Sequence, residues 1–328
     1  MKEKILTYLR EADGYVSGQE LCEKLGVSRT AIWKHINQLK EEGYEIQAVK
    51  NRGYCLVETP DSVKPQELRG YLNTKWLGNT IYWEESVDST NTWAKRLAED
   101  GAPHGTVVIA DEQTQGKGRR GRQWVTPKGT SIAVTKLLKP DMPPERASML
   151  TLVEGLSVAQ AIRTLYGLDA GIKWPNDVVV SNRKICGILT EMSAQMDYIN
   201  YIVIGTGINT NLREWEFPEE LKDIATSLMI EVGHEVKRAE LVAALLEIFE
   251  KNYEIFSKTW DLSGLMQDYN DILVNREAQV RVLQPGNEYT GIARGIDEKG
   301  QLLVEREDQT IEKVYAGEVS VRGLYGYV

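Results

Sequence analysis

Gly116-Lys117-Gly118-Arg119-Arg120-Gly121-Arg122-Gln123-Trp124 sets four cations among three glycines, directly after an apolar strand pattern. Its first six residues spell G-x-G-x-x-G, the dinucleotide fingerprint, which needs a helix opening inside the loop so that its N-terminus meets a pyrophosphate. Trp124, Thr126, Pro127 and Gly129 follow instead and cannot sustain a helix; Asp141 lies in a proline-rich loop, not at a second strand end. A Walker A reading fails too, because no Gly-Lys-Ser/Thr occurs. Cations this close repel one another in free solution. An anion with several oxygens would draw arginines and backbone N–H groups inward together and order the loop. A ligand with a carboxylate and a polyphosphate is such an anion; a solvated basic loop or a nucleic-acid patch is the plain alternative.

Three further segments share the surrounding stretch. Asp88-Ser89-Thr90-Asn91 clusters hydroxyl and amide groups at a helix start, suited either to a neutral polar ligand or simply to an N-cap. Lys173-Trp174-Pro175-Asn176-Asp177 places a lysine before a rigid Trp-Pro at a strand entrance, as a point charge for a carboxylate or phosphate, or as a surface lysine in a turn. Gly205-Thr206-Gly207-Ile208-Asn209 follows an apolar strand and either admits a ligand close to the backbone or makes a plain turn. Helical patterns over 92–99, 149–165 and 239–256 alternate with strand patterns over 106–110, 131–137, 177–180, 185–191 and 199–204. Residues 66–272 therefore read as an α+β, mixed-sheet catalytic domain.

Upstream, residues 1–60 read as a winged helix-turn-helix. Ile5, Leu6 and Leu9 mark a first helix, Ser17 caps a second that Gly26 stops, and Ser28 caps a third carrying Ile32, Ile36 and Leu39. The third presents Ser28, Arg29, Thr30, Lys34, His35, Asn37 and Gln38, and a two-stranded wing around Asn51-Arg52-Gly53 adds Lys50 and Arg52. These residue types contact phosphates and base edges, although a helical interaction module would share the charged face. A polar, proline-containing linker over 58–65 follows. Downstream, residues 275–328 break into short strands split by Gln284-Pro285-Gly286-Asn287 and Asp297-Glu298-Lys299-Gly300, the pattern of a small SH3-like β-barrel.

Composition narrows the chemistry. The net charge of −9 over 328 residues makes the whole chain a poor generic nucleic-acid binder, so any DNA contact is local. Within residues 28–52, five basic side chains face three acidic ones. Three histidines far apart argue against a zinc site or a histidine triad, and no metal site is expected. Cys22, Cys55 and Cys186 lack metal or disulfide spacing and point to the cytoplasm. The N-terminus carries no signal-peptide core, and no stretch nears the ~20 apolar residues of a membrane span.

The order Asp88 to Asn91, Gln113 to Trp124, Lys173 to Asp177, Arg183-Lys184-Ile185-Cys186-Gly187-Ile188-Leu189 and Gly205 to Asn209 closely resembles the biotin–protein ligases. The resemblance runs from the winged helix to Ala316-Gly317-Glu318 near the C-terminus, as in members that are also biotin-operon repressors. Two departures are Lys117, where arginine is usual, and Thr206 between the glycines. The resemblance implies joining of biotin and ATP, with Mg²⁺, into biotinyl-5′-AMP and pyrophosphate, then transfer to a lysine of a biotin carboxyl carrier protein. It implies a central role for Lys173 on the biotin carboxylate and α-phosphate, and phosphate neutralisation by Arg119, Arg120 and Arg122, Arg119 also retaining the adenylate. Ser89, Thr90, Asn91, Gln113, Gly116, Lys117, Gly187 and Gly205 would hold biotin; Trp124, Asn176, Gly207 and Asn209 would hold the nucleotide. It further implies a homodimer on operator DNA when the adenylate is bound. The rival readings are a lipoate–protein ligase and a biotin-sensing repressor without ligase activity.

Overall fold

The computed structural model describes residues 1–284, 287–315 and 320–323, and the chain divides into Met1–Gly70 and Tyr71–Val328. In the first unit, Ile5, Leu6 and Leu9 of α1 (Lys2–Glu11), Leu21 of α2 (Gly18–Leu25) and Ile32, Ile36 and Leu39 of α3 (Arg29–Glu41) close on one core. Both expected caps form: Ser17 Oγ accepts from the Glu20 N–H at 3.0 Å, and Ser28 Oγ from the Ala31 N–H at 3.3 Å. Gly26 ends α2 in the left-handed region at φ 66°. The wing is the antiparallel pair β1 (Glu45–Val49) and β2 (Gly53–Glu58). The short α4 (Pro65–Leu68) is tied to this unit by Glu67, whose buried carboxylate accepts from Arg10 at 2.7 Å and from the Tyr44 hydroxyl.

The second unit is built on a seven-stranded mixed sheet: β3 (Ile81–Val87), β4 (Thr106–Gln113), β5 (Ser131–Leu138), β6 (Gly171–Lys173), β7 (Asp177–Val180), β8 (Arg183–Ala194) and β9 (Ile199–Asn209). The spatial order is β3-β4-β5-β9-β8-β7-β6, with only β3 and β4 parallel. Its main helices are α5 (Thr90–Glu99), α6 (Leu150–Tyr166) and, after the short α7 (Leu228–Val232), α8 (Arg238–Phe256). Neighbouring residues of β9 reveal which helix covers which face. Gly205 lies under Asn91 of α5, while Thr206 donates to Glu154 of α6 at 2.6 Å. Side chains alternate along a strand, so α5 and α6 cover opposite faces.

Two polar contacts fasten these layers. Under α6, Lys136 of β5 pairs with Glu154 at 2.7 Å, both side chains fully buried. On the α5 face, Glu191 of β8 accepts from Asn91 at 2.8 Å and from Lys95 at 2.5 Å. Burial pushes the Glu191 carboxyl up, but these two donors outweigh it and hold the group below its ordinary value.

The structure departs from the sequence reading in the sheet. Gly205–Asn209 is neither a turn nor a loop: Gly207 pairs with Ala133 of β5 on one side and Gly187 of β8 on the other, and that double ladder keeps β9 extended through the glycines. β3 and the three-residue β6 were not expected; β3 is an edge strand without clean alternation, and β6 is too short to show a period. The long helix starts at Leu150, after a 3₁₀ turn over Pro144–Met149.

After α9 (Met266–Asp271), β10 (Gln279–Gln284), β11 (Asn287–Ile296), β12 (Leu302–Glu305), β13 (Ile311–Val314) and β14 (Ser320–Gly323) form an antiparallel sheet in the order β13-β12-β11-β10-β14. The segment expected as a small barrel is observed as this sheet, and no ladder between its two edge strands is found among the described residues. Pro285-Gly286 of the expected first turn, and Ala316-Gly317-Glu318, lie outside the described residues. Among the described residues no helix is long and apolar enough to cross a membrane.

Two outcomes follow from the fastenings. Lys136→Met should destabilise the chain by about 3–5 kcal/mol in urea unfolding by leaving Glu154 buried and unpaired, and adding Glu154→Leu should recover much of that loss. Because the Glu191 carboxyl titrates lower folded than unfolded, its contribution is present at neutral pH. That contribution fades as pH falls below the ordinary carboxylate range and through the folded value. The difference in thermal unfolding between the parent chain and Glu191→Gln should therefore shrink from pH 7 towards pH 4.

Candidate active site and candidate nucleic-acid interface

On the α5 face, three glycines leave a gap in the side chains at the centre of the sheet. Gly207 and Gly187 pair directly, and Gly205 pairs with Leu189 one step along. A Cβ on Gly205 would collide with the Asn91 amide, and one on Gly207 with the Trp124 indole. The resulting cleft encloses about 460 Å³ including its open mouth. Its lining brings together Ser89, Thr90, Asn91, Gln113, Lys117, Arg119, Trp124, Asn176, Gly187, Gly205 and Gly207 from the sequence-derived set, and adds Gly118, Lys184, Ile188, Leu189 and Thr206. Gly116, Arg120, Arg122, Lys173 and Asn209 do not line it.

At one end, the start of α5 supplies polar groups with different fates. Thr90 donates through its N–H (2.9 Å) and hydroxyl (3.0 Å) to Gln113 Oε1, and Gln113 Nε2 donates to Thr126 Oγ1 at 3.2 Å. Asn91 spends its whole amide on the protein: Nδ2 donates to the Leu189 carbonyl (3.1 Å) and Glu191 (2.8 Å), and Oδ1 accepts from Thr135 (2.8 Å). Asn91 therefore orients α5 over Gly205 and has no donor left for a ligand. Ser89 stands at the N-cap position, yet its side chain makes no capping bond. Ser89 lines the cleft, and among the described residues its hydroxyl enters no hydrogen bond.

The glycine-arginine loop is folded over the other side. Gly118 N–H donates to the Arg122 carbonyl at 2.7 Å and Trp124 N–H to the Gly116 carbonyl at 2.9 Å, with a 3₁₀ turn at Arg119–Gly121 between. Gly116 is buried under the Trp124 carbonyl, where no Cβ fits, so it shapes the loop from behind. Arg120, at φ 57°, and Arg122 point out of the cleft and are exposed. Arg119 turns inward and donates to Asn176 Oδ1 at 2.8 Å; burial lowers its guanidinium from the ordinary value, opposed by nearby Asp177, and it stays a cation. The Trp124 indole lies against Gly187 and Gly207, its Nε1–H buried without a partner.

Two lysines compete for the central position. Lys184 of β8 lines the cleft, with its Nζ 5.4 Å from the Trp124 ring centroid and 2.5 Å from Asp177 Oδ1. Asp177 Oδ1 also accepts from Asn176 Nδ2 at 3.1 Å. Lys173 is buried at the end of β6, opposite Asp177, which in turn pairs with Gly187. It thus sits two strands, roughly 10 Å, from the glycine floor. Sequence reading places Lys184 within a motif without giving it a role; its signal was a cation three residues before a floor glycine. Asn209 is buried and donates to the Thr226 carbonyl at 3.0 Å, which makes it a support for the segment after β9. The lining thus holds three cations, Lys117, Arg119 and Lys184, and no carboxylate. Among the described residues no group of three or more His, Cys, Asp or Glu side chains is placed to hold a metal ion.

In the first unit, Arg29, Thr30 and Lys34 are exposed on α3, and Arg29 Nη2 donates to Gln19 Oε1 of α2 at 2.9 Å. His35 and Asn37, expected on the exposed face, are half-buried, because they flank the core residue Ile36; His35 Nδ1 lies 3.1 Å from Gln38 Oε1. Arg52 of the wing turn is exposed, with its guanidinium 4.6 Å from the Tyr15 ring centroid. Trp33 is exposed on the same helix and was not among the expected contacts.

Comparison with known proteins finds family matches for both units. Residues 2–55 match an HTH domain, residues 83–209 the biotin/lipoate A/B protein ligase family, and residues 278–322 a biotin protein ligase C terminal domain. The bifunctional ligase/repressor BirA of Bacillus spizizenii is 37% identical over 320 residues, covering 98% of both chains, and that of Escherichia coli 32% identical, covering 97% of this chain and 96% of its own. The biotin protein ligase of Aquifex aeolicus, solved in complex with biotin and ATP, superposes with a TM-score of 0.65 at 32% identity, over 75% of this chain and 99% of that one. Matched along nearly its whole length by ligase/repressors, the chain belongs to the bifunctional biotin–protein ligase/repressor family.

Proposed function

We propose that the chain joins biotin to ATP as biotinyl-5′-AMP and transfers the biotin to a lysine of a biotin carboxyl carrier protein. The observation that carries this is the glycine-floored cleft whose lining holds three cations and no acidic residue. In the first step a biotin carboxylate oxygen attacks the α-phosphorus; a carbon–oxygen–phosphorus bond forms, the α–β bridge breaks, and pyrophosphate leaves. The nucleophile is already an anion, so no protein base is needed; the demand is for alignment and neutralised charge. Lys184, beside Gly187, bridges the carboxylate and the α-phosphate, and Arg119 holds the phosphate side. Ser89, with its spare hydroxyl, and Thr90 and Gln113 take the biotin ureido group. Asn176 keeps Arg119 and Asp177 in place. Mg²⁺ arrives with ATP, held chiefly by the phosphates and water, as is usual for this ion. In the second step the carrier's lysine amine attacks the acyl carbon, AMP leaves, and the amine gives up a proton to water.

The same reading makes the first unit a repressor's DNA-binding domain that engages operator DNA when two copies holding the adenylate pair. The free, unpaired Cys22, Cys55 and Cys186 support work in a reducing cytoplasm.

Labelled biotin supplied with ATP should appear on one lysine of a purified apo carrier domain, and lipoate in its place should release no pyrophosphate. Lys184→Ala should cut biotin-dependent pyrophosphate release on the order of 100-fold or more, and Lys173→Ala much less. The reverse ranking would return the central role to Lys173. Arg119→Gly should let the adenylate escape, seen as biotin on bystander lysines; labelling confined to the carrier would remove the retention role.

A further inference from the structure

Of the large apolar side chains in the first unit, Trp33 is the most exposed, at 59%. It stands mid-way along α3, one turn after Arg29 and Thr30, beside Lys34 and one turn before Asn37. The helix core is supplied by Ile32, Ile36 and Leu39, so the indole lies outside it, and tryptophan offers no advantage in helix propensity. Among the described residues it also enters no hydrogen bond, ring contact or cation–π contact.

The surroundings limit what covers it. A second copy docking through this face would set Arg29 and Lys34 against themselves, since a two-fold contact repeats the same patch. A polyanion meets the cations favourably, and residues 28–52 keep a positive balance in a chain whose net charge is −9. In the major groove the apolar feature that distinguishes one base from the others is the thymine C5-methyl. Trp33 is the apolar group on a helix face otherwise made of cations, a hydroxyl and an amide.

We propose that Trp33 is a specificity-determining residue that packs on thymine methyl groups in the major groove, while Arg29 and Lys34 hold phosphates. This rests on the DNA-binding reading of the first unit. It adds a base preference that hydrogen-bonding side chains do not supply.

The full-length chain, with biotin and ATP, would be used to select duplexes from a random-sequence library. Affinity would then be measured at fixed salt for the selected duplex and for versions with single thymines replaced by deoxyuridine, which lacks only the methyl. At one or two positions the replacement should weaken the parent protein by about fourfold per methyl. Trp33→Ala should bind both versions equally there, and Trp33→Phe should retain part of the discrimination. Unchanged far-ultraviolet circular dichroism and ligase activity would show that the variants fold. Equal thymine-to-deoxyuridine penalties in the parent and Trp33→Ala would overturn the proposal and leave DNA binding standing. Weakened dimerisation with unchanged base preference would assign the indole to a contact between copies, and would overturn it too. Selection of no duplex, with no salt-dependent binding, would remove the DNA-binding reading and this inference together.

Discussion

The sheet must have a bare patch at its centre. Gly187, Gly205 and Gly207 remove side chains from two adjacent strands on one face, and the active-site half of the molecule is arranged around that gap. Asn91 drops into it over Gly205 and brings the start of α5 with it; Trp124 lies on Gly187 and Gly207 and brings the loop. A methyl group at either Gly205 or Gly207 would push one of these elements away. The opposite face needs the reverse, bulk and attraction, and there Thr206, Glu154 and Lys136 bind β9 and β5 to α6. One strand therefore serves two purposes through simple alternation.

The electrostatics follow the same division. Cations that would repel one another are spread over two supports: Lys117 and Arg119 on the loop, and Lys184 on β8. Each has a polar partner, Thr92 for Lys117, Asn176 for Arg119 and Asp177 for Lys184, so the positive charge is held in place before any ligand arrives. Preorganised charge of this kind costs no rearrangement when a polyphosphate binds. Asp177 and Asn176 stand at the junction, joining the β6–β7 hairpin to both the loop and Lys184.

Much of this was legible from local chemistry. The caps at Ser17 and Ser28, the stop at Gly26 and the core residues of α3 follow from short-range rules that tertiary packing did not override. Ser89, Thr90, Gln113, Arg119 and Trp124, which the family resemblance had grouped, do line one cleft. What local pattern left open was any residue whose place depends on its neighbours across the sheet. Gly205-Thr206-Gly207 reads as a close approach for a ligand or as a turn, and pairing makes it part of a central strand. Lys173 precedes a rigid Trp-Pro, and pairing sets its backbone opposite Asp177, which itself pairs with Gly187. Asn91 looks like a ligand group, and its amide is wholly used by Leu189, Glu191 and Thr135.

By itself the sequence determined the periodic and covalent facts: a winged helix ahead of a mixed-sheet domain and a run of short strands, and a loop of cations and glycines that is neither dinucleotide fold nor Walker A. These depend on residue type and spacing along one strand or helix, which a linear string records. Only the tertiary structure decided that Lys184 lines the cleft, that Asn91 spends its amide within the protein, that Arg119 turns inward, and that an indole stands exposed on α3. Each of those is settled by lateral register and packing between elements up to a hundred residues apart, as when Asn91 meets Glu191. Hydrogen-bond donors are finite and strands alternate, so the fold assigns them one by one, and no local pattern in the chain encodes that allocation.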